Sequence, residues 1–161
     1  VSARSREKVI IFSQWTAMLD LLEGPMEAEG YRFRRLDGTM SVASRQQALQ
    51  DFAEGPDISV MLMSLKAASL GLNMVCASHV LLLDLWWCPT TEDQAIDRCH
   101  RIGQKRDVKV TRFIVKGSIE DKIRDIQERK RKMVKSAYEW NEDSRNVSVD
   151  LSMNELRDIF S

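Results

Sequence analysis

The stretch "HVLLLDLWWCPTTEDQAIDRCHRI" (His79–Ile102) joins two patterns that together indicate the fold. Its first seven residues form an almost unbroken apolar run, which is typical of a strand buried on both faces of a parallel sheet. The residues from Thr91 onward predict an amphipathic helix, because Thr91 and Gln94 have the spacing of a capping box. Three residues of this helix recur on one face and are predicted to pack on the sheet: Ala95, Cys99 and Ile102.

The same alternation of apolar runs and amphipathic segments extends along most of the chain. The further predicted strands are KVIIFS (Lys8–Ser13), YRFRRL (31–36), ISVMLMS (58–64) and KVTRFIVKG (109–117). The further predicted helices span residues 16–30, 41–55 and 118–140, with a short helix and loop after residue 64. This order predicts an α/β fold, with a parallel sheet flanked by helices on both faces and a long C-terminal helix.

Local signals predict where the helices begin, end or change direction. Gly24–Pro25 is expected to break or bend the first helix, and Gly30 to end it. Ser41 is a predicted N-cap, and Gly55 follows the end of the same helix. Ser118 and Asp121 form a second candidate capping box. We divide the chain into a domain at 1–140 and a polar connector with a short docking helix at 141–161.

Composition limits the class of protein. The 161 residues are 43% hydrophobic and 30% charged, as expected for one compact domain. No apolar run is long enough to span a membrane, and the start "VSARSREKV" lacks the apolar core of a signal peptide. The three cysteines form no CxxC pair, which favours a reducing compartment and argues against structural zinc. Because the chain begins with Val, we expect it to be part of a longer protein.

The charge is unevenly distributed although its net value is zero. Between residues 93 and 135, Lys and Arg outnumber Asp and Glu two to one. This basic half indicates either a polyanionic partner or a solvated helix face, and composition does not separate the two. The segment ERKRKMVK (Glu128–Lys135) has the same alternatives, a solvated face or a contact with another domain.

Ligand-binding residues are expected where parallel strands end at their carboxyl side. Those ends are Ser13–Gln14, Asp37–Thr39, Ser64–Lys66 and Asp84–Trp87. Asp37 is expected to shape its loop rather than act as a base. No GxGxxG, GxxxxGK[ST], GxSxG or HExxH motif is present, which disfavours a dinucleotide enzyme and an independent phosphate-loop ATPase.

Gln94, Arg98 and Arg101 recur at the spacing of one helix face. Two guanidinium groups one turn apart are suited to clamp a phosphate and to stabilise a transferring phosphoryl group. They are also suited to a solvated stripe paired with neighbouring carboxylates, which is the interpretation that spacing alone favours. The spacing alone leaves both interpretations open.

Several segments resemble, in the correct order, the motifs of the second lobe of Swi/Snf-type DNA-dependent ATPases, within helicase superfamily two. "KVIIFSQWTAMLDLL" resembles motif IV, "VMLMSLKAASLGLNMVCASHVLLLD" resembles motif V, and "EDQAIDRCHRIGQKRDV" resembles motif VI. The segments "RRLDGTMSVASRQQALQDF" and "LWWCPTTEDQAIDR" are similar to the intervening blocks. The resemblance covers about residues 8 to 140 and implies a RecA-like lobe with a brace helix. The closing "DLSMNELRDIF" is similar to the subgroup of helicase-like transcription factors and post-replication-repair translocases.

The resemblance implies site residues by position. Arg98 and Arg101 match the catalytic arginine fingers, and Gln94 and Gly71 join them at the nucleotide. Eight residues match positions that meet DNA: Ser13, Gln14, Gly38, Thr39, Arg45, Ser64, Lys66 and Trp87. Trp86 is expected to be core. Ala68–Ser69 replaces two glycines common in motif V, and Cys88 replaces the Asn of a WNP motif, so the backbone approach and one hydrogen bond differ there.

The resemblance implies a second motor lobe of an ATP-dependent double-stranded DNA translocase or chromatin remodeller. ATP and Mg²⁺ would be held mainly by a first RecA-like lobe of the same protein, and no metal site is expected here. The expected partners are double-stranded DNA, with nucleosomes as a further candidate, and that first lobe; no membrane is expected. The expected location is the nucleus, and the fragment alone is expected to be inactive. The alternative is a catalytically passive module that binds a protein or nucleosome.

Overall fold

The computed structural model of the chain describes residues 7–68 and 71–140, with side chains described as far as residue 135. The predicted connector and docking helix at 141–161, and Ser69 of motif V, lie outside these residues. No helix within the described part is long and apolar enough to cross a membrane.

Strands and helices alternate along the described chain. The strands are β1 (Lys8–Ser13), β2 (Phe33–Leu36), β3 (Val60–Ser64), β4 (Ala77–Leu82) and β5 (Lys109–Arg112). The helices are α1 (Thr16–Ala28), α2 (Val42–Glu54), α3 (Leu65–Ala68), α4 (Pro89–Asp97) and α5 (Ile119–Trp140). The predicted order of elements is confirmed, although β5 ends at Arg112 rather than continuing to Gly117.

The five strands form one sheet in the order β2-β3-β1-β4-β5, and every neighbouring pair is parallel. One row of paired residues crosses the whole sheet near the carboxyl ends: Leu36, Met63, Phe12, Leu82 and Arg112. The loops that follow all five strands therefore leave from the same edge. This register is what brings distant sequence motifs together.

The core lies on both faces of the sheet, as the sequence predicted. Because side chains alternate along a strand, Ile10 and Phe12 of β1 enter one apolar cluster, whereas Ile11 enters the other. The first cluster also contains Phe52 of α2 and Ala95 of α4. The second contains Leu19 of α1, Val60 and Leu62. Helices thus cover the two faces of the sheet.

The expected break of the first helix at Gly24–Pro25 is wrong, because α1 continues through Pro25 to Ala28. Pro25 lies close to the end of the helix, so its missing N–H removes only one bond near the last turn. Leu22 and Met26, on either side of it, pack against the sheet and favour the continuous helix.

Gly30 ends α1 as predicted. The Gly30 N–H donates to the Glu27 carbonyl at 3.0 Å, and the Tyr31 N–H donates to the Met26 carbonyl at 2.9 Å. This pair of bonds is a Schellman motif, which requires a left-handed residue, and Gly30 has a φ of 76°.

The predicted ends of α2 are confirmed. The Ser41 Oγ accepts from the Ser44 N–H at 3.1 Å, and Gly55 is the C-cap. A Cβ at Gly55 would lie 2.5 Å from the Asp51 carbonyl oxygen, so no other residue fits without movement. Lys8 was not expected here, yet its Nζ donates to the carbonyls of Phe52, Ala53 (3.2 Å) and Gly55 (3.0 Å). A cation thus covers the negative end of this helix.

The start of α4 differs from the predicted capping box at Thr91 and Gln94. The helix begins three residues earlier, with Cys88 instead of Thr91 as N-cap and Pro89 in the first turn. Proline favours this position because its φ suits a helix and its missing N–H has no partner to lose. The prediction overlooked this signal in favour of the weaker threonine spacing.

The start of α5 is capped by Ser118, as predicted. The Ser118 Oγ accepts from the Glu120 N–H at 3.1 Å. The Asp121 carboxylate accepts from the Gly117 N–H at 2.7 Å instead of the Ser118 N–H that a standard capping box would use. The long C-terminal helix is therefore confirmed, with one changed capping partner.

Candidate functional site

The carboxyl edge of the sheet gathers the segments that the sequence singled out. Ser13 and Ser64 end neighbouring strands and are paired in register. Asp37 directly follows β2, and Asp84 follows β4 by two residues. The structure therefore confirms that the four predicted strand ends lie along one edge.

Ser13 and Asp84 form a buried hydrogen-bonded pair at the centre of this edge. The Ser13 hydroxyl is fully buried and donates to Asp84, whose other oxygen accepts from the Gln14 N–H at 2.9 Å. Burial raises the pKa of Asp84, and the bonds from Ser13 and Gln14 only partly oppose that effect. The Ser13 hydroxyl thus makes its hydrogen bond inside the protein, and Asp84 fixes the loop that carries Gln14.

Asp37 shapes the loop after β2. Its carboxylate accepts from the Thr39 N–H at 2.9 Å, the Thr39 hydroxyl at 2.6 Å and the Arg35 Nε at 2.7 Å. Burial would raise the pKa of Asp37, but the bonds from Thr39 and Arg35 outweigh it and lower the pKa. Gly38 and Thr39 remain exposed at the tip. Arg45 of α2 donates to the Gly38 carbonyl at 3.0 Å, which adds a cation to this loop.

Ser64 and Lys66 lie where β3 meets α3. Ser64 is buried, and its Oγ accepts from the Ala67 N–H at 3.3 Å. The Lys66 residue is exposed. The two predicted site residues thus differ: Ser64 supports the first turn of α3, whereas Lys66 faces outward at the edge of the sheet.

Two tryptophans stand at the β4–α4 junction. Their rings are stacked, with centroids 3.5 Å apart and an angle of 28° between the planes. Trp86 was expected to be core; it packs against the first apolar cluster but is only partly buried, so it lies at the border of the core. Trp87 is half-buried as well. Cys88, which stands where the WNP motif has Asn, is buried. Its Sγ lies 3.1 Å from the Thr90 hydroxyl, and its side chain does not cap α4.

A buried polar cluster that the sequence analysis missed holds this junction against α5. Glu92 is fully buried, accepting from the Trp86 N–H at 2.9 Å and from the Arg112 Nε at 3.1 Å. Gln127 of α5 donates to Glu92 at 2.6 Å and to the Trp86 carbonyl. No sequence spacing links residues 86, 92, 112 and 127, so only the fold could reveal them.

Gln94, Arg98 and Arg101 do not share one helix face, which corrects the expectation. Because α4 ends at Asp97, only Gln94 lies within the helix, where it is exposed; Arg98 is the C-cap. Arg98 donates through Nε to the Ala68 carbonyl at 3.0 Å, and its own carbonyl accepts from the Met74 N–H at 2.9 Å. Arg98 is therefore anchored on the segment that holds Gly71, which is exposed.

Arg101 lies beyond α4 in an exposed turn. It lines an open depression with His100, Lys105 and Arg106, so the surroundings are basic. Ile102 is fully exposed, so its predicted packing on the sheet is wrong, whereas Ala95 and Cys99 are buried as expected.

The chain leaves the helical path after Cys99, and the Gln104 side chain takes the place of the backbone N–H that the next helical turn would have supplied. Its Nε2 donates to the Cys99 carbonyl at 3.2 Å and to the Ala77 carbonyl at 2.7 Å.

Among residues 7–68 and 71–135, no group of three or more His, Cys, Asp or Glu side chains could hold a metal ion. All three cysteines are free thiols, and burial raises the pKa of Cys99 to about 12. The chemistry available at this edge is therefore that of cations, backbone amides and an aromatic pair.

Comparison with known proteins gives consistent matches. Residues 1–103 match the family described as "Helicase conserved C-terminal domain". The chain is 58% identical over 153 residues to helicase-like transcription factor CHR27 of Arabidopsis thaliana, covering 95% of this chain and 14% of that protein. It is 43% identical over 157 residues to DNA repair protein RAD5A of the same plant, covering 98% of this chain and 15% of that protein.

A human relative and a solved structure extend these matches. The chain is 41% identical over 152 residues to the Homo sapiens helicase-like transcription factor, covering 93% of this chain and 15% of that protein. The crystal structure of the C-terminal part of the Fun30 ATPase domain matches with a TM-score of 0.73 and 43% identity, covering 75% of this chain and 39% of that one. The RecA-like fold expected from the sequence is confirmed. The chain spans only about one seventh of the length of the curated relatives it matches.

Proposed function

Because the chain belongs to the family of helicase conserved C-terminal domains, as its motif order predicted, we propose that it is the second motor lobe of an ATP-dependent double-stranded DNA translocase or chromatin remodeller. Its similarity to helicase-like transcription factors and DNA repair proteins confirms the subgroup that the closing sequence predicted. The same relatives support a nuclear location. Double-stranded DNA is the proposed partner, with nucleosomes as a further candidate, together with a first lobe of the full-length protein.

The observation that carries the proposal is the shared carboxyl edge of the sheet. Exposed or half-exposed groups stand there after four of the strands: Gln14, Gly38 and Thr39 on loops, Arg45 on α2, Lys66 on α3, and Trp87 at the β4–α4 junction. Amides, hydroxyls and cations bind phosphates without reading base sequence, as a translocating protein requires. Trp87 adds an aromatic face. These groups are the proposed contacts with the DNA backbone.

Ser13 and Ser64 take a supporting role in the proposal because their side chains are buried. The Ser13 hydroxyl is bonded to Asp84, and the Ser64 hydroxyl accepts from Ala67. Ser13 fixes the loop that carries the proposed DNA contact Gln14, and Ser64 supports the first turn of α3, which carries Lys66. Direct contact of these serines with phosphate stays a prediction.

Arg98 and Arg101 are the proposed arginine fingers, with Gln94 and Gly71 beside the nucleotide. The Arg98 Nε is bonded to Ala68, so the terminal nitrogens of the anchored guanidinium are the groups offered to phosphate. Positive charge at this place stabilises the negative charge that develops on a transferring phosphoryl group. The described residues contain no metal cluster and the sequence no phosphate loop, so ATP and Mg²⁺ are assigned mainly to the first lobe.

The Arg98→Ala/Arg101→Ala variant of the full-length protein tests this assignment. We expect DNA-stimulated ATP hydrolysis to fall by about three orders of magnitude or more, as for other arginine fingers. DNA affinity in a filter-binding assay should stay within about twofold of wild type, since neither residue is a proposed DNA contact. Lys105→Ala, an exposed cation in the same turn, is the matched control and should keep both activities.

Unchanged hydrolysis in the double variant would contradict the finger role and favour the alternative of a passive interaction module. The 161-residue chain alone should not hydrolyse ATP, because the proposal places most of the nucleotide site elsewhere. Robust DNA-stimulated hydrolysis by the isolated chain would overturn that part of the proposal.

A further inference from the structure

The backbone at Trp86 is held by side chains rather than by regular secondary structure. Residues 83–88 join β4 to α4 outside both elements. The Trp86 N–H donates to Glu92 Oε1 at 2.9 Å, and the Trp86 carbonyl accepts from Gln127 Nε2. Backbone groups in buried surroundings need such partners, since each one left unpaired costs free energy. These two bonds therefore determine the path of the junction.

Gln127 makes this junction depend on α5. It is 2% exposed, and the same Nε2 also donates to Glu92 Oε1 at 2.6 Å. The second Glu92 oxygen accepts from the Arg112 Nε at 3.1 Å, so the fully buried carboxylate is bonded at both oxygens. Arg131, one turn further along α5, donates to Asp93 of α4 at 3.2 Å. The helix is thus tied both to the junction and to α4.

We propose that Gln127 is a positioning residue that couples α5 to the stacked Trp86–Trp87 pair and so sets the orientation of the Trp87 ring toward DNA. The Trp86 backbone is fixed by Gln127, and its ring lies 3.5 Å from that of Trp87, centroid to centroid. A displacement of α5 therefore reaches the Trp87 ring through one amide and one ring contact. The inference rests on the proposed function for its DNA contact.

Gln127→Met in the full-length protein is the principal variant. Methionine keeps the length of the side chain but has no N–H to donate, so it leaves the Trp86 carbonyl unpaired. Gln127→Asn is a milder second variant, in which the same amide is too short by one methylene to keep both bonds. Glu128→Ala, at the adjacent exposed position, is the matched control.

Three measurements test the coupling. Hydrogen exchange should become faster in the peptide 83–88 of both Gln127 variants and stay unchanged in β1 (Lys8–Ser13), which reports an intact fold. The DNA concentration for half-maximal ATPase stimulation should rise about five- to tenfold, while kcat at saturating DNA stays unchanged. In a Trp87→Ala background, Gln127→Met should add no further rise, because both changes act on one contact.

Unchanged exchange at 83–88 in the Gln127 variants would overturn the positioning role. Faster exchange without a change in DNA response, or a full additional effect in the Trp87→Ala background, would overturn the coupling to Trp87. A wild-type DNA response of Trp87→Ala itself would instead refute the Trp87 contact in the proposed function. In that case the exchange measurement still decides separately whether Gln127 holds the tryptophan pair.

Discussion

Asp84 is expected to stabilise the edge of the sheet by holding the Ser13–Gln14 loop. Asp84→Ala removes the acceptor of two hydrogen bonds. In the variant the Ser13 hydroxyl can turn to the Trp15 carbonyl, 3.1 Å away. Most of the lost stability therefore comes from the unpaired Gln14 N–H and from the space that the carboxylate leaves empty. One buried donor left unpaired costs about 1–3 kcal/mol, and removal of the costly buried charge offsets part of it. We therefore expect the free energy of unfolding to fall by about 1–2 kcal/mol at pH 7.

The pH dependence gives the same residue a second test. Burial raises the pKa of Asp84 above its ordinary 3.8, so the folded state binds a proton more readily than the unfolded state. As pH falls from neutral toward 3.8, protonation stabilises the wild type but not the variant. The difference in unfolding free energy between wild type and Asp84→Ala should therefore widen at about pH 4.5 compared with pH 7.

Urea denaturation of the 161-residue chain, followed by circular dichroism at both pH values, measures these differences. Asp57→Ala is the matched control, because Asp57 is exposed in the loop before β3. If Asp84→Ala is as stable as this control at pH 7, the carboxylate does not hold the loop. A gap that narrows on acidification would refute the raised pKa.

Three further variants test the end of α2 and the end of α4. Lys8→Met should lower the unfolding free energy by about 2 kcal/mol, since the carbonyls at the end of α2 lose a charged donor. Lys116→Met, at an exposed position, serves as control. Equal stability of the two variants would contradict the capping role of Lys8. Ile102→Ser should change the unfolding free energy by less than about 0.5 kcal/mol, whereas Cys99→Ser should cost about 1–3 kcal/mol. If urea denaturation gave equal losses of unfolding free energy for Ile102→Ser and Cys99→Ser, the result would favour the continuous helix that the spacing predicted.

The central strands β1, β3 and β4 were predictable because they are short apolar runs typical of burial on two faces, and the edge strands β2 and β5 because apolar and polar residues alternate along them. The motif order then supplied the family, and the parallel register followed from the alternation with helices. The carboxyl edge could be located for the same reason, since parallel strands must end together. These inferences depend on local patterns or on a rule that holds for the whole fold class.

The end of α4 was not predictable from spacing. Periodicity continues through Arg98 and Ile102, but the helix stops because Met74 and Gln104 bond the carbonyls of Arg98 and Cys99. Met74 lies far back in the chain, and nothing in the local pattern shows that it will arrive there. The consequence is functional, because Arg101 then stands in a turn rather than on the helix face.

The buried cluster at Glu92 was missed for a related reason. Glu and Gln are usually exposed, and a pattern based on hydropathy assigns them to the solvent face. Their burial depends on an arginine from β5 and a helix from the end of the domain. By contrast, the start of α4 was predictable, since Pro89 carries a known preference that outweighs the threonine spacing.

The central place of β1 in the sheet has a consequence for how the chain folds during synthesis. Ile10 pairs with Met61 of β3 on one side and with Val80 of β4 on the other, so β1 has no neighbour until β3 has been made and keeps one unpaired side until β4 follows. Such long-range pairing slows folding and leaves the strand open to wrong partners in the meantime. The segment Val9–Phe12 is rich in β-branched residues and carries no charge, so until β3 and β4 have been made it is prone to pair with other strands.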